Sequence, residues 1–452
     1  MKTRRDGDRG FTLVELMVSL VAGLIVTIAV VGLARAATTT FFEAARISSV
    51  EASVRTASER LRQDLARASY MSTGNIKLAR DQAGGVPLGH RIGVPDPTAP
   101  SVNGGSRYAA LNDLAGIHVI VGGSGNNAAA VSGAGTDGPN ALSANNGLNP
   151  DAIILGGNYT TNDSYQGTFS VTGGSCPGNQ SIALNAAGDA AVRRLVNTAD
   201  PLASTRAAFT PVPGKRFAAR VVDAKGCQHF VVVCAVTATA TGALISLESD
   251  SAGNPAVMLS GAANHTNCGA TNAEPVTINP VQRVRWYVGP NTDATLDPAT
   301  GVEPATNKFN LYRDLIDAEP IPTPRPETRQ IVAEYAADLK SGLAVADAAN
   351  ALQVYDMDTD AGGGGGNIDL YTQLPVTTTA GGPGPQRVRS VRFRIATRAA
   401  VPDRNSGLVI GPAPYLTRYC VQNQPAATCK SFARVRTVVS EVALMNQIGM
   451  TY

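Results

Sequence analysis

Aromatic residues are scarce in this chain, at 5% with a single tryptophan, and charged residues reach only 16%. Gly, Ala, Asn, Thr and Pro fill the space. That mixture suits β-strands joined by long loops better than a compact helical enzyme. Histidine is rarer still: His90, His118, His229 and His265, no two of them at metal-ligand spacing. No G-x-S-x-G, P-loop, H-E-x-x-H or C-x-x-C occurs, which removes the common signatures of serine hydrolases, nucleotide hydrolases, zinc proteases, zinc ribbons and dithiol redox sites. The net charge of +3 is nearly balanced, so charge alone predicts neither a nucleic-acid partner nor a membrane surface. At 452 residues there is room for two or three domains.

Cysteine is present six times, far apart: Cys176, Cys227, Cys234, Cys268, Cys420 and Cys429. An even count beside a membrane segment points to disulfides in an oxidising compartment, with buried thiols as the alternative. Cys227 and Cys234 flank the apolar run "QHFVVV". On one strand they stand roughly 23 Å apart, too far for a bridge, so they need different partners. Cys420 and Cys429 bracket a short loop with Pro425 and suit a local pair. Cys227 and His229 share a strand face. A Cys–His nucleophile is one reading of them, and a half-cystine beside a surface histidine is the other.

The first seventy residues carry most of the signal. Residues 1–10, "MKTRRDGDRG", are polar and basic. From Phe11 to Ala34 the chain is apolar with one charge, Glu15. Those residues span about 36 Å as a helix, enough for a bilayer. A buried carboxylate there costs roughly 2.5–3.5 kcal/mol and marks a function. The run is too long for a secretory h-region. Basic charge ahead of it puts the N-terminus on the cytoplasmic side. No proline precedes Pro87, and Ile47, Val50, Val54, Ala57, Leu61, Leu65 and Ala68 recur at helical spacing. The spacing predicts one helix over about 11–71, apolar all round to residue 34 and striped over 35–71. "STGN" at 72–75 stops it, with Gly74 as cap.

"GFTLVELMVSL" resembles the class III signal of type IV prepilins and pseudopilins. The resemblance implies cleavage between Gly10 and Phe11 by a prepilin peptidase, leaving 1–10 as a leader, and methylation of the new Phe11 amine. Glu15 takes the place of the family's assembly glutamate, which pairs inside the filament with a neighbouring subunit's N-terminal amine. The alternative is a signal anchor whose Glu15 snorkels to the interface. Many pilins carry a proline in the second half of this helix. Here Gly32 is the nearest equivalent.

Beyond Gly84 the sequence changes character. Residues 84–149 are rich in Gly and Asn and read as an insertion holding one strand, "IHVIVG". Residues 150–452 read as a β-rich head with strands at "AIILGG", "RFAARVV", "FVVVCAV", "ALISLES", "VQRVRWYVG", "FNLYRDL", "LQVYDMD", "VRSVRFRIAT" and "ARVRTVVSEVAL". Val391, Phe393 and Ile395 alternate with Arg392 and Arg394, which predicts a half-buried strand with a solvated arginine face; nucleic acid is an unsupported partner. "YDMDTDAGGGGGNIDLY" offers Asp356, Asp358, Asp360 and Asp369 as oxygen ligands for calcium. Ala361 and Asn367 break the EF-hand pattern, so a plain acidic turn is the alternative.

The predicted fold class is α+β: a long N-terminal helical spine, transmembrane in its first half, packed on an antiparallel sheet head in the pilin manner, with large loop insertions. The Asp-rich turn, the Val-Arg strand, "LYRD" after "VRWYVG" and a C-terminal strand ending near "ALMN" are similar to PilW-type minor pilins, although Met445 stands where an arginine is common. This resemblance implies a non-enzymatic subunit acting in pilus initiation at a tip complex. Its partners would be other minor pilins, the major pilin, a large tip adhesin and the inner-membrane assembly platform. Before assembly the chain would sit in the bacterial inner membrane with its head in the periplasm, and afterwards at the cell surface. A minor pseudopilin of a type II secretion system, or a signal-anchored envelope enzyme, are the competing expectations.

Overall fold

The computed structural model describes residues 12–76, 91–92, 111, 114–121, 150–176, 179–196, 201–248, 269–290, 308–319, 323–347, 349–357, 368, 371, 383–402, 418–421 and 432–448. The chain divides into two compact units, Met1–Ala52 and Ser53–Tyr452. Helix α1, Leu13–Ala66, contributes to both.

The described part of the first unit is residues 12–52, which hold the start of α1, apolar as far as Ala34. Glu15 is the only charge between Thr12 and Ala34. The hydroxyls of Ser19 and Thr27 donate to the carbonyls of Leu16 (2.9 Å) and Gly23 (2.8 Å). Those bonds satisfy the two hydroxyls within the helix itself. Leu13 to Leu33 present large apolar side chains outward, and the helix is long and apolar enough to cross a membrane. It passes Gly23 and Gly32 without a break.

The second unit contains sixteen described strands. The larger sheet holds β1 Arg91–Ile92, β2 Ile117–Ile120, β3 Ala152–Gly157, β4 Tyr165–Ser170, β5 Ser181–Asn185, β6 Phe217–Val222, β7 Gln228–Thr239, β8 Gly242–Glu248, β9 Pro275–Pro290, β10 Phe309–Ile316 and β11 Pro324–Ala333. The smaller holds β12 Ala336–Ala346, β13 Leu352–Tyr355, β14 Val388–Arg398, β15 Arg418–Cys420 and β16 Phe432–Ala443. Helices α2 Ala190–Val196 and α3 Pro201–Phe209 lie between β5 and β6, and α4 Met445–Ile448 follows β16.

Strand β9 organises the larger sheet because its two halves have different neighbours. Residues 275–278 pair with β4 and 277–281 with β6. From there β4 runs to β5, β5 to β8, β8 to β7 and β7 to β6, all antiparallel. The ring returns to β9 and forms a closed six-stranded barrel, which leaves no edge inside the ring. Its interior follows the period of two: Val276 and Ile278, Ala219 and Val221, Val231 and Val233, Ala243 and Ile245, Ile182 and Leu184. Val192 of α2 and Phe209 of α3 complete this core. Gly167 is required where β4 meets β5, since a Cβ there would lie 2.5 Å from Ile182.

The second half of β9 pairs with β3 and β10, which carry β2 and β11. The smaller sheet runs β13-β12-β14-β16-β15. Residues of both join one core with the stripe of α1: Val54, Ala57, Leu61 and Leu65, with Ala68 just past the helix, meet Ile117, Leu155, Val284, Trp286 and Leu311 from one sheet and Leu339, Val391, Phe393 and Ile395 from the other. Each buried Leu contributes about 1.5–3 kcal/mol.

The helix is shorter than the spacing predicts. After Ala66 the ladder tightens: Arg67, Ala68 and Tyr70 donate to Asp64, Leu65 and Arg67, three residues back. Ser69 and Met71 then take left-handed conformations, which ends the helix before "STGN".

Candidate functional site

At the start of α1, Thr12 and Glu15 form a capping box. The Thr12 amide and hydroxyl each donate to Glu15 Oε2 at 3.0 Å, and the Glu15 amide donates to Thr12 Oγ1 at 3.2 Å. The box satisfies helix donors that have no intrahelical partner. It leaves Oε1 of an exposed carboxylate with no partner among the described residues. Thr-x-x-Glu ahead of an apolar run was the signal for this motif in the sequence. Gly10 and Phe11, the expected cleavage and methylation positions, lie outside the described residues.

The far end of α1 is fixed by polar groups. Asp64 Oδ2 accepts the indole N–H of Trp286 at 2.9 Å and the Arg313 Nε at 2.7 Å. The only tryptophan thus sits between helix and sheet. Burial, then the Asp64 charge, push the neighbouring Tyr159 phenol well above its ordinary range. Asn446 of α4 donates to the Ala66 and Ala68 carbonyls at 2.9 and 3.2 Å, capping the helix end. Gln447 meets the Ser69 hydroxyl at 3.0 Å. Gly116 must be glycine there, because a Cβ would lie 2.0 Å from both of those side chains. Met445, in contrast, is exposed.

The cysteines report oxidation. Cys176 and Cys234 form a disulfide that ties the loop after β4 to β7. Cys227 and Cys420 are also disulfide-bonded, with partners outside the described residues, where Cys268 and Cys429 lie. Cys227 and Cys234 therefore do have different partners. A disulfide-bonded Cys227 has no thiolate to offer as a nucleophile. Its neighbour His229 is a buried residue, not the surface histidine expected: its Nε2 lies 3.1 Å from Asp223 Oδ2. Asp223 also accepts the amides of Lys225 (3.0 Å), Cys227 (2.8 Å) and Gly269 (2.8 Å). Burial pushes its carboxyl up, but the bonds from His229, Gly269 and Cys227 prevail and hold it down at about 2. These contacts close the β6–β7 turn and anchor the segment that follows Cys268.

Two further expectations meet the structure unequally. Of the proposed calcium ligands, Asp356 is exposed at the end of β13, while Asp358, Asp360 and Asp369 lie outside the described residues. On β14, Val391, Phe393 and Ile395 are fully buried as predicted. The arginine face is not simply solvated, because Arg394 holds Asp338 with bonds of 3.1 and 2.9 Å.

Residues 5–31 match the family described as the prokaryotic N-terminal methylation motif. No curated protein and no solved structure matches the chain. The matched stretch covers the second half of the basic leader, the capping box and the apolar run as far as Val31, so the chain carries a class III signal of the type IV pilin kind. Together with the apolar helix, it supports a membrane-anchored protein of the type IV pilin or pseudopilin family, processed by a prepilin peptidase and assembled with other pilins.

Proposed function

We propose that this chain is a minor pilin of a type IV pilus, a structural subunit of the PilW type that acts in initiation of assembly within a tip complex. The observation that carries the reading is Glu15, the one charge in the apolar half of a helix bearing the methylation motif. Cleavage between Gly10 and Phe11 would free an amine one residue ahead of the capping box. In the unassembled chain Glu15 uses one oxygen on its own Thr12. The other oxygen, without a partner among the described residues, would receive the methylated Phe11 ammonium of a neighbour. In a low-dielectric helix bundle an unpaired carboxylate costs several kcal/mol, so pairing sets the register between chains.

The size of the head favours a rare subunit. About four hundred residues on one helix, Ser53–Tyr452, would crowd a filament if repeated at every position, but not at one end. Other minor pilins, the major pilin, a large tip adhesin and the assembly platform of the inner membrane are its proposed partners. The Asp356 loop is proposed as a calcium turn, with Asp358, Asp360 and Asp369 completing the oxygen set.

The test is Glu15→Ala in the producing cells. The account expects a folded, processed protein whose co-purification with other minor pilins falls by about tenfold or more, the loss of roughly 1.4 kcal/mol or more per contact. Unchanged pilus number and unchanged co-purification would contradict it.

A further inference from the structure

The two sheets end differently. Edge strand β11 carries Pro324 and Pro326 and two register shifts against β10, features that discourage pairing with another chain. Strand β13 is only four residues long. Strand β16 has none of these defences. It pairs with β14 from Val435 to Ala443 without a register shift, and β15 covers only Phe432, Ala433 and Arg434 on its other side.

The direction of the uncovered groups follows from two bonds. Leu444 donates to the Arg389 carbonyl at 2.8 Å, and Ala399 donates to the Arg434 carbonyl at 2.9 Å. Even-numbered residues of β16 therefore bond to β14. Thr437, Val439, Glu441 and Ala443 aim their N–H and C=O groups the other way. No described strand accepts them. The segment is rich in β-branched residues, and Val439 is 47% exposed. On the face toward α1, Val438 and Val442 pack against the main core but are only half-buried, whereas their neighbours Val391 and Ile395 on β14 are fully buried. Between them, Arg62 of α1 reaches Ser440 Oγ at 2.9 Å; its Nε lies 3.8 Å from Glu59 Oε2, and half of its side chain stays exposed to a further acid.

We infer that the 437–443 edge of β16 receives a strand from a neighbouring pilin-type subunit, with the pattern apolar–x–acid–x–apolar. An unpaired ladder edge is satisfied only by extended backbone. The apolar residues would cover Val438 and Val442, and the acid would meet the Arg62 guanidinium beside Ser440. A second copy does not fit. A two-fold axis at Ser440 would bring two Arg62 side chains together. The inference rests on the pilin reading.

The test places a benzophenone photo-crosslinking residue at position 439 of the full chain in the producing cells, and identifies the joined peptide by mass spectrometry. The expected result is a strand of the stated pattern from another subunit with a methylated N-terminus. Val439→Pro removes an N–H that faces away from β14, so the melting temperature should hold within a few degrees. Co-purification of the partner identified by the crosslink should fall by about tenfold. Crosslinks only to a second copy or within this chain, or none at all while Phe11 is methylated, would overturn the edge and leave the pilin reading intact. A retained leader would overturn the pilin reading itself.

Discussion

The helix-backed core and the barrel core solve the same problem with opposite sequence economies. The first collects residues from Val54 to Leu444 and includes the stripe of α1. The second is drawn from Tyr165 to Ile278 and closes on itself by strand pairing, with two short helices adding Val192 and Phe209. One core depends on a helix whose other half is exposed and apolar; the other depends on no part of that helix. The barrel is inserted between β3 and the second half of β9, and its core uses no residue of α1.

Perturbation should separate them. Leu61→Ala removes a fully buried side chain from the stem stripe and should destabilise the helix-backed core by about 4 kcal/mol. Hydrogen exchange should show faster opening of β14 and β16 with β6 to β8 unchanged; equal loss in both would break the distinction. Replacing Cys176 and Cys234 together by Ser should cost about 3 kcal/mol, confined to the barrel. A matching loss in β14 would argue that the two cores unfold as one.

Acid gives a smaller effect, again on the barrel side. The Asp223 carboxyl is held at about 2 in the folded chain against an ordinary 3.8. Its contribution, about 2 kcal/mol, is present above pH about 4 and is lost as pH falls through about 2. Asp223→Asn should flatten the urea midpoint over that window. A midpoint that still falls with the wild-type slope would assign the acid sensitivity elsewhere.

The stem was legible because one residue type dominates it. Twenty-four residues with one charge leave few alternatives, and Val54, Ala57, Leu61, Leu65 and Ala68 are buried as their spacing predicts. Strands β3, β9, β10, β14 and β16 were visible as apolar or alternating runs. Strand β12 was not, since "AADLKSGLAVA" mixes small and charged residues. It is buried throughout because Lys340 pairs with Asp151 at 3.0 Å and Asp338 with Arg394 at 2.9 Å. Strand β11 was hidden by its prolines, which suit an edge. The barrel could not be foreseen, because its closure lies in long-range pairing of β4 and β6 to one strand. The Thr12–Glu15 box went unread, although Thr-x-x-Glu spells it, and it shows a second use for the glutamate. His229 looked exposed because its contact with Asp223, six residues away, depends on how the β6–β7 turn closes, which spacing alone does not show.

The most direct test of the central claim is intact-mass and N-terminal peptide analysis of the protein purified from its own membrane fraction. The account predicts a chain beginning at Phe11 with one methyl group on its amine. A chain that keeps residues 1–10, or one cut after Ala34, would contradict it.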